Sequence, residues 1–138
     1  VEDEAYQKEL VAMARNQDRV VVEFVGGMAP TELAPFWQKA HYFLSSTTQE
    51  NFGHSIVEAW AHGCPVLISD RTPWRDLETK GVGWDWPLDQ TAWLQGLSIA
   101  LNVGHTEWKV QSEKSRAFFN TEVRNPAVEQ DNLKLFQR

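Results

Sequence analysis

Cysteine is nearly absent. Cys64 is the only one in 138 residues, so no disulfide can close within the chain, and a reducing, cytoplasmic setting is expected. Its neighbours Gly63, Pro65, Val66 and Leu67 point to an inert core thiol rather than a nucleophile. Cations are scarce: 13 Lys and Arg stand against 19 Asp and Glu, a net charge of -6. Such a balance argues against a nucleic-acid grip, which usually needs a basic face. No apolar stretch approaches the length of a membrane span, and no signal peptide is visible. Internal repeats, low-complexity linkers and long runs of one charge are missing as well. The chain opens on Val1 rather than Met, which suggests a processed or excised piece of something longer.

What is present is a chain of the size that builds one domain around one core, with 42% hydrophobic residues. Seven tryptophans are many for this length. Trp37, Trp60, Trp93 and Trp108 fall within helical patterns and are expected in the core, whereas Trp74, Trp84 and Trp86 lie in loop-like segments.

Hydrophobic periodicity orders the elements. Residues 4–15 place Tyr6, Leu10, Met13 and Ala14 on one helical face. Val20 to Val25 reads as a buried strand closed by Gly26 and Gly27. Pro30 opens a helix through Leu33, Phe36, Trp37 and Ala40. HYFLSST reads as a second strand and CPVLIS as a third, with a helix between them that stops at Gly63. DRTPWRDLETKG looks like a loop with a short helix, and Gly83 to Trp86 like a fourth strand. Asp89 caps a helix carrying Trp93, Leu97, Ala100 and Leu101; Thr106 and Glu107 start another that reaches Phe118 and Phe119. Asn125-Pro126 introduces a last one through Leu133 and Phe136. Short apolar strands alternating with helices imply right-handed crossovers and a parallel sheet.

In such a sheet ligands bind beyond the carboxyl ends of the strands. Two segments meet that description: the turn at Gly26-Gly27-Met28, and the loop from Glu50 to Ser55. They are adjacent if the strands before them are neighbours. In ENFGHSIVEAWAHGCP, Glu50 and Glu58 are separated by seven residues, with Phe52-Gly53 between. Ser55 and Glu58 match a capping box, which would explain Glu58 by structure alone, as helix-dipole complementarity would. Glu50 alone could be a solvated loop residue. Together they fit a larger scheme. A helix start offers unpaired amides and suits phosphate. Gly53 would let a ligand approach the backbone. Carboxylates repel phosphate but accept from hydroxyls, so a nucleoside diphosphate sugar fits the set.

The stretch resembles the E-x7-E signature of the group-1 (family 4) glycosyltransferases, with Glu50 and Glu58 at its acidic positions and Phe52-Gly53 at its centre. The likeness continues through DRVVVEFVGGMAPTELAPFWQKAHYFLSSTTQENFG before it and EAWAHGCPVLISD after it. It is good from Glu4 to Ser69 and weaker, with consistent element order, to the end. The resemblance implies an α/β fold, a Rossmann-like parallel sheet flanked by helices, forming one truncated half of a GT-B enzyme. Residues 1–138 would be its C-terminal nucleotide-sugar-binding domain, lacking that domain's first strand and helix, which carry an arginine and a lysine, and the N-terminal acceptor domain. By that resemblance Glu50 contacts the transferred sugar and Glu58 the ribose. The Asn51–Ser55 backbone, including Phe52, Gly53 and His54, meets sugar and diphosphate, and Gly27 and Met28 lie near the base.

The implied reaction is transfer of a sugar from a nucleoside diphosphate to an acceptor hydroxyl. It would retain configuration and use no metal or other cofactor, in bacterial-type polysaccharide or glycoconjugate synthesis. The parent would meet a sugar or lipid-linked acceptor, with room for contact at the inner membrane face, while the 138 residues alone would be inert and at best a weak nucleotide binder. Departures accompany the likeness. Asn51 and His54 stand where glycine and an aliphatic residue are frequent, and RTPWRD replaces a Gly-Gly pair. Arg71, Trp74 and Arg75 could therefore shape a different pocket, or form a capped loop with surface arginines. Other readings remain: a glycosidase, whose paired carboxyls stand about 5–9 Å apart; a metal site on His54 and Glu58; a nucleotide-sugar 2-epimerase; or a stand-alone nucleotide-binding or regulatory α/β module. The sequence leaves the sugar, base and acceptor open.

Overall fold

The computed structural model describes residues 3–124. The chain divides into two units, residues 1–33 and 34–138. The helix expected to follow Asn125-Pro126 lies outside the described residues.

In the first unit, helix α1 spans Glu4–Arg15. Asp3 starts it: its carboxylate accepts from the Ala5 and Tyr6 amides at 3.0 and 3.1 Å, satisfying donors that a helix start leaves open. None of its residues is fully buried, and Tyr6 and Met13 of the expected apolar face are exposed. The strand expected at Val20–Val25 is not formed. Val21 is 89% exposed, and among the described residues none pairs with this run. Apolar β-branched residues favour a strand, but a strand exists only where another accepts its ladder. Gly26 adopts a left-handed φ of 67°. A 3-10 turn, Pro30–Glu32, follows, with the Ala29 amide donating to the Glu32 carboxylate at 2.8 Å.

The second unit opens with α2, Ala34–Lys39. The helix expected from Pro30 is thus a 3-10 turn and a separate short helix. Three parallel strands follow in the order β1 (Phe43–Ser45), β2 (Val66–Ser69), β3 (Gly83–Trp86). Val66 pairs with Phe43 on one side and with Gly83 on the other. Helix α3 (His54–Ala61) crosses from β1 to β2, and the short α4 (Leu77–Lys80) lies between β2 and β3. Helices α5 (Gln90–Leu101) and α6 (His105–Phe118) follow, and α6 runs into a π-helical turn, Phe119–Val123.

The central strand explains the two layers. β2 is buried along its whole length, as a strand covered on both faces must be. Val66 and Ile68 pack with Ile56, Ala59 and Trp60 of α3, with Leu77 and Val82, and with Val123. Leu67 points the other way, to Trp84 and Ala100, with Trp86 and Leu97 beside them. Two glycines let these layers close. A Cβ at Gly83, where φ is 144°, would fall 2.0 Å from the Val66 carbonyl oxygen, and one at Gly96 of α5 would fall 2.3 Å from the Trp86 indole. The strand expected at Gly83–Trp86 is formed, and Trp84 within it is a core residue at 8% exposure. Of the four tryptophans expected in the core only Trp60 is fully buried.

Helix α3 ends as the sequence predicts. Gly63 takes a left-handed φ of 70°, its amide donates to Trp60 O at 2.9 Å, and the Cys64 amide reaches Ala59 O at 2.8 Å. These are the paired bonds of a glycine-terminated helix. Ser112 and Arg116 of α6 donate to the Gly63 and His62 carbonyls at 2.6 and 3.2 Å, tying α6 to the same end. Cys64 is 1% exposed, and burial pushes its thiol up to about 12, as suits an inert core sulfur.

Candidate functional site

The parallel sheet presents its carboxyl ends at Ser45, Ser69 and Trp86, and two loops rise from that edge. The first runs from Ser46 to Gly53 and leads into α3; the second runs from Asp70 to Asp76 and leads into α4. Ligands of parallel α/β sheets bind at this edge.

Glu50, Asn51, Phe52, Gly53, His54, Ser55 and Glu58 all belong to the first loop and the start of α3. Glu50, Asn51, His54 and Ser55 are exposed, Phe52 and Glu58 half-buried, and Gly53 buried. Gly27 and Met28 belong to the first unit, where Gly27 is exposed and Met28 half-buried. The strand expected to place them beside the Glu50 loop is not formed.

Gly53 is the hinge of the arrangement. It is the residue from which α3 starts, with φ 83° and ψ 64°, a left-handed conformation that side chains disfavour. A Cβ there would meet Ile56 Cδ1 at 2.7 Å and Glu50 Cγ at 3.4 Å. The space beside this glycine is thus filled by the chain's own side chains, so glycine serves the turn itself.

The capping box expected from Ser55 and Glu58 is absent. The first bond of α3 runs from the Val57 amide to Gly53 O at 3.1 Å, so the helix starts at His54 and places Ser55 second and Glu58 in the second turn. A left-handed glycine turns the chain into the helix two residues earlier than a serine cap would, and no side chain caps this end. The amides of Ser55 and Ile56 precede the first intrahelical bond and point out of the helix end. Glu58, freed from capping, rises on the helix flank.

The second loop braces the first. Ser69, fully buried, donates through its hydroxyl to Thr47 O at 2.5 Å; the Glu50 amide donates to Arg71 O at 3.0 Å; the Trp74 indole N–H donates to Phe52 O at 2.5 Å. The Phe52 ring lies 4.9 Å from the His54 ring and 5.7 Å from Trp74, centroid to centroid. Asp70 meets Arg71 at 3.4 Å in an ion pair, although its buried Oδ1 makes no hydrogen bond. Trp74 is thus no surface feature of a capped loop. It lies in a loop as expected, but nothing local could show a bond to a carbonyl 22 residues earlier.

A cleft of about 740 Å³ opens on the far part of this loop, between Trp74, Arg75, Lys80 of α4, and Lys114 and Phe118 of α6. Neither Glu50 nor Glu58 lines it. The Lys80 ammonium donates to Arg75 O at 3.0 Å and stands 5.5 Å over the Phe118 ring. Among the described residues no group of three His, Cys, Asp or Glu is placed to hold a metal ion, and no helix is long and apolar enough to cross a membrane.

A three-stranded parallel sheet flanked by helices, with a glycine-started helix at its carboxyl edge, defines a Rossmann-like α/β domain. The family model of glycosyl transferases group 1 matches residues 2–98, and the chain belongs to that family. The alpha-monoglucosyldiacylglycerol synthase of Streptococcus pneumoniae (strain ATCC BAA-255 / R6) is 37% identical over 68 residues, covering 47% of this chain and 15% of that protein. The chain therefore matches a small part of that relative's length. No solved structure matches it.

Proposed function

We propose that the chain forms the donor-binding part of a glycosyltransferase that moves a sugar from a nucleoside diphosphate to an acceptor hydroxyl. The observation that carries this reading is the start of α3 at the sheet's carboxyl edge: outward amides at Ser55 and Ile56, with Glu50 before and Glu58 after. Amides at a helix start favour a diphosphate, and they favour it more as charge builds on the leaving group. Glu50, exposed on the loop, accepts from hydroxyls of the transferred sugar and holds the donor in place, a task in which small displacements are costly. Glu58, on the flank of α3, accepts from the ribose hydroxyls. Asn51, Phe52, Gly53, His54 and Ser55 contribute backbone to the sugar and diphosphate.

In this proposal the domain is one half of a GT-B enzyme, with the acceptor half and the cations facing the diphosphate supplied from outside these residues. The transfer retains configuration and needs no metal. The synthase name of the S. pneumoniae relative fits a lipid-borne acceptor met by a cytoplasmic enzyme at the membrane surface. Neither glutamate acts as a nucleophile.

Titration of the chain with UDP, GDP and ADP, followed by NMR, tests the reading. One of the three binds, and Glu58→Gln weakens it by about three- to tenfold, the value of one hydrogen bond. Glu50→Gln weakens the corresponding nucleotide sugar but leaves the bare diphosphate unchanged. Binding that is indifferent to Glu58→Gln removes the ribose assignment.

A further inference from the structure

The peptide joining Phe52 to Gly53 is held from outside its own loop. The Trp74 indole N–H donates to Phe52 O at 2.5 Å. Trp74 is itself anchored twice. Its backbone amide donates to the Thr72 hydroxyl at 3.1 Å, and Thr72 is 4% exposed. Its ring meets Trp60 edge-on, with centroids 5.1 Å apart and planes at 85°, and meets Phe118 in the same manner at 6.2 Å. Trp60 is fully buried in the core. A rigid indole thus runs from the core to one carbonyl oxygen of the loop.

That oxygen sets more than its own position. In a trans peptide the carbonyl and the following N–H point in opposite directions within one plane. The chain has no cis peptide among its described residues. With Phe52 O turned toward Trp74, the Gly53 N–H is turned away from it, and this amide has no acceptor among the described residues. The Glu50 amide, bound to Arg71 O at 3.0 Å, pins the same loop two residues earlier.

Building on the donor-site reading, we infer that Trp74 is a positioning residue for the diphosphate. Its indole N–H fixes the Phe52–Gly53 peptide plane and so aims the Gly53 amide toward the phosphate oxygens at the start of α3. The ring alone would serve the core; the N–H serves the ligand.

Trp74→Phe separates these roles, because it keeps an aromatic ring and removes the donor. In the full chain the variant stays folded, with melting close to the unmodified protein. Amide hydrogen exchange at Glu50, whose N–H bond to Arg71 O pins the same loop, quickens, and affinity for whichever of UDP, GDP or ADP binds falls by about three- to tenfold. The matching nucleoside monophosphate loses less. Thr72→Val, which removes the acceptor holding the Trp74 backbone, shifts exchange and affinity in the same direction, and serves alone if Trp74→Phe does not fold. Diphosphate binding by the unmodified chain that the variants leave unchanged overturns the inference while the donor-site reading stands. An equal loss for mono- and diphosphate also overturns it. If the unmodified chain binds none of the three diphosphates, the donor-site reading fails and the inference falls with it.

Discussion

A Cβ on Gly53 would sit 2.7 Å from the Cδ1 of Ile56, a residue of the same helix start that is 2% exposed. The bare backbone of Gly53 thus leaves room for a buried isoleucine directly beside the loop bearing Glu50. Gly53→Ala therefore meets two penalties: a left-handed φ of 83° that alanine disfavours, and a methyl group driven into a buried isoleucine. Each costs roughly 1–2 kcal/mol, so the variant loses about 2–4 kcal/mol in urea unfolding. A loss below about 1 kcal/mol would mean that the turn is not held as described.

Ser55 offers a sharper contrast, because sequence and structure assign it different duties. As an N-cap it would contribute about 1 kcal/mol through its hydroxyl. As the second residue of a helix that Gly53 starts, with its side chain exposed, it contributes little. Ser55→Ala is expected to change unfolding free energy by less than about 0.5 kcal/mol. A loss near 1 kcal/mol would restore the capping box.

These two residues show what was legible in the sequence and what was not. The parallel α/β order could be read, since β2 is a short apolar run and β3 a short tryptophan-bearing one between helices, and Gly63 ends α3 as a left-handed glycine should. The chemistry-bearing stretch from Glu50 to Glu58 was visible too, because its residues are contiguous. What escaped depends on partners distant in sequence. Val20–Val25 has strand composition, but pairing is decided by a neighbour and not by composition. Ser55-x-x-Glu58 has the letters of a capping box, yet the conformation of Gly53, outside that pattern, decides where the helix begins. Trp84 could be placed in a Gly83–Trp86 strand, but its burial depends on Leu67 and Ala100, from another strand and a later helix. Trp74 lies in a loop as expected, but the acceptor of its indole N–H is 22 residues back and could not be read locally.

Cys64 supplies a pH prediction with a definite sign. The thiol is 1% exposed, and burial raises it from an ordinary 9.0 to about 12 in the folded state. Between those values the unfolded chain has released the thiol proton while the folded chain keeps it. The unfolded state then binds fewer protons, so stability falls as pH rises through that window. The Cys64 contribution is therefore fully present below pH 9 and is lost progressively up to about pH 12. Two measurements follow from the same burial. At pH 8 a thiol reagent should label native Cys64 only at the rate at which the protein opens, and labelling should become fast in denaturant. Cys64→Ala should show a shallower loss of stability above pH 9 than the unmodified chain, since it removes one group that titrates differently in the two states. Rapid labelling of the folded protein at pH 8 would place Cys64 at an accessible surface and remove both expectations.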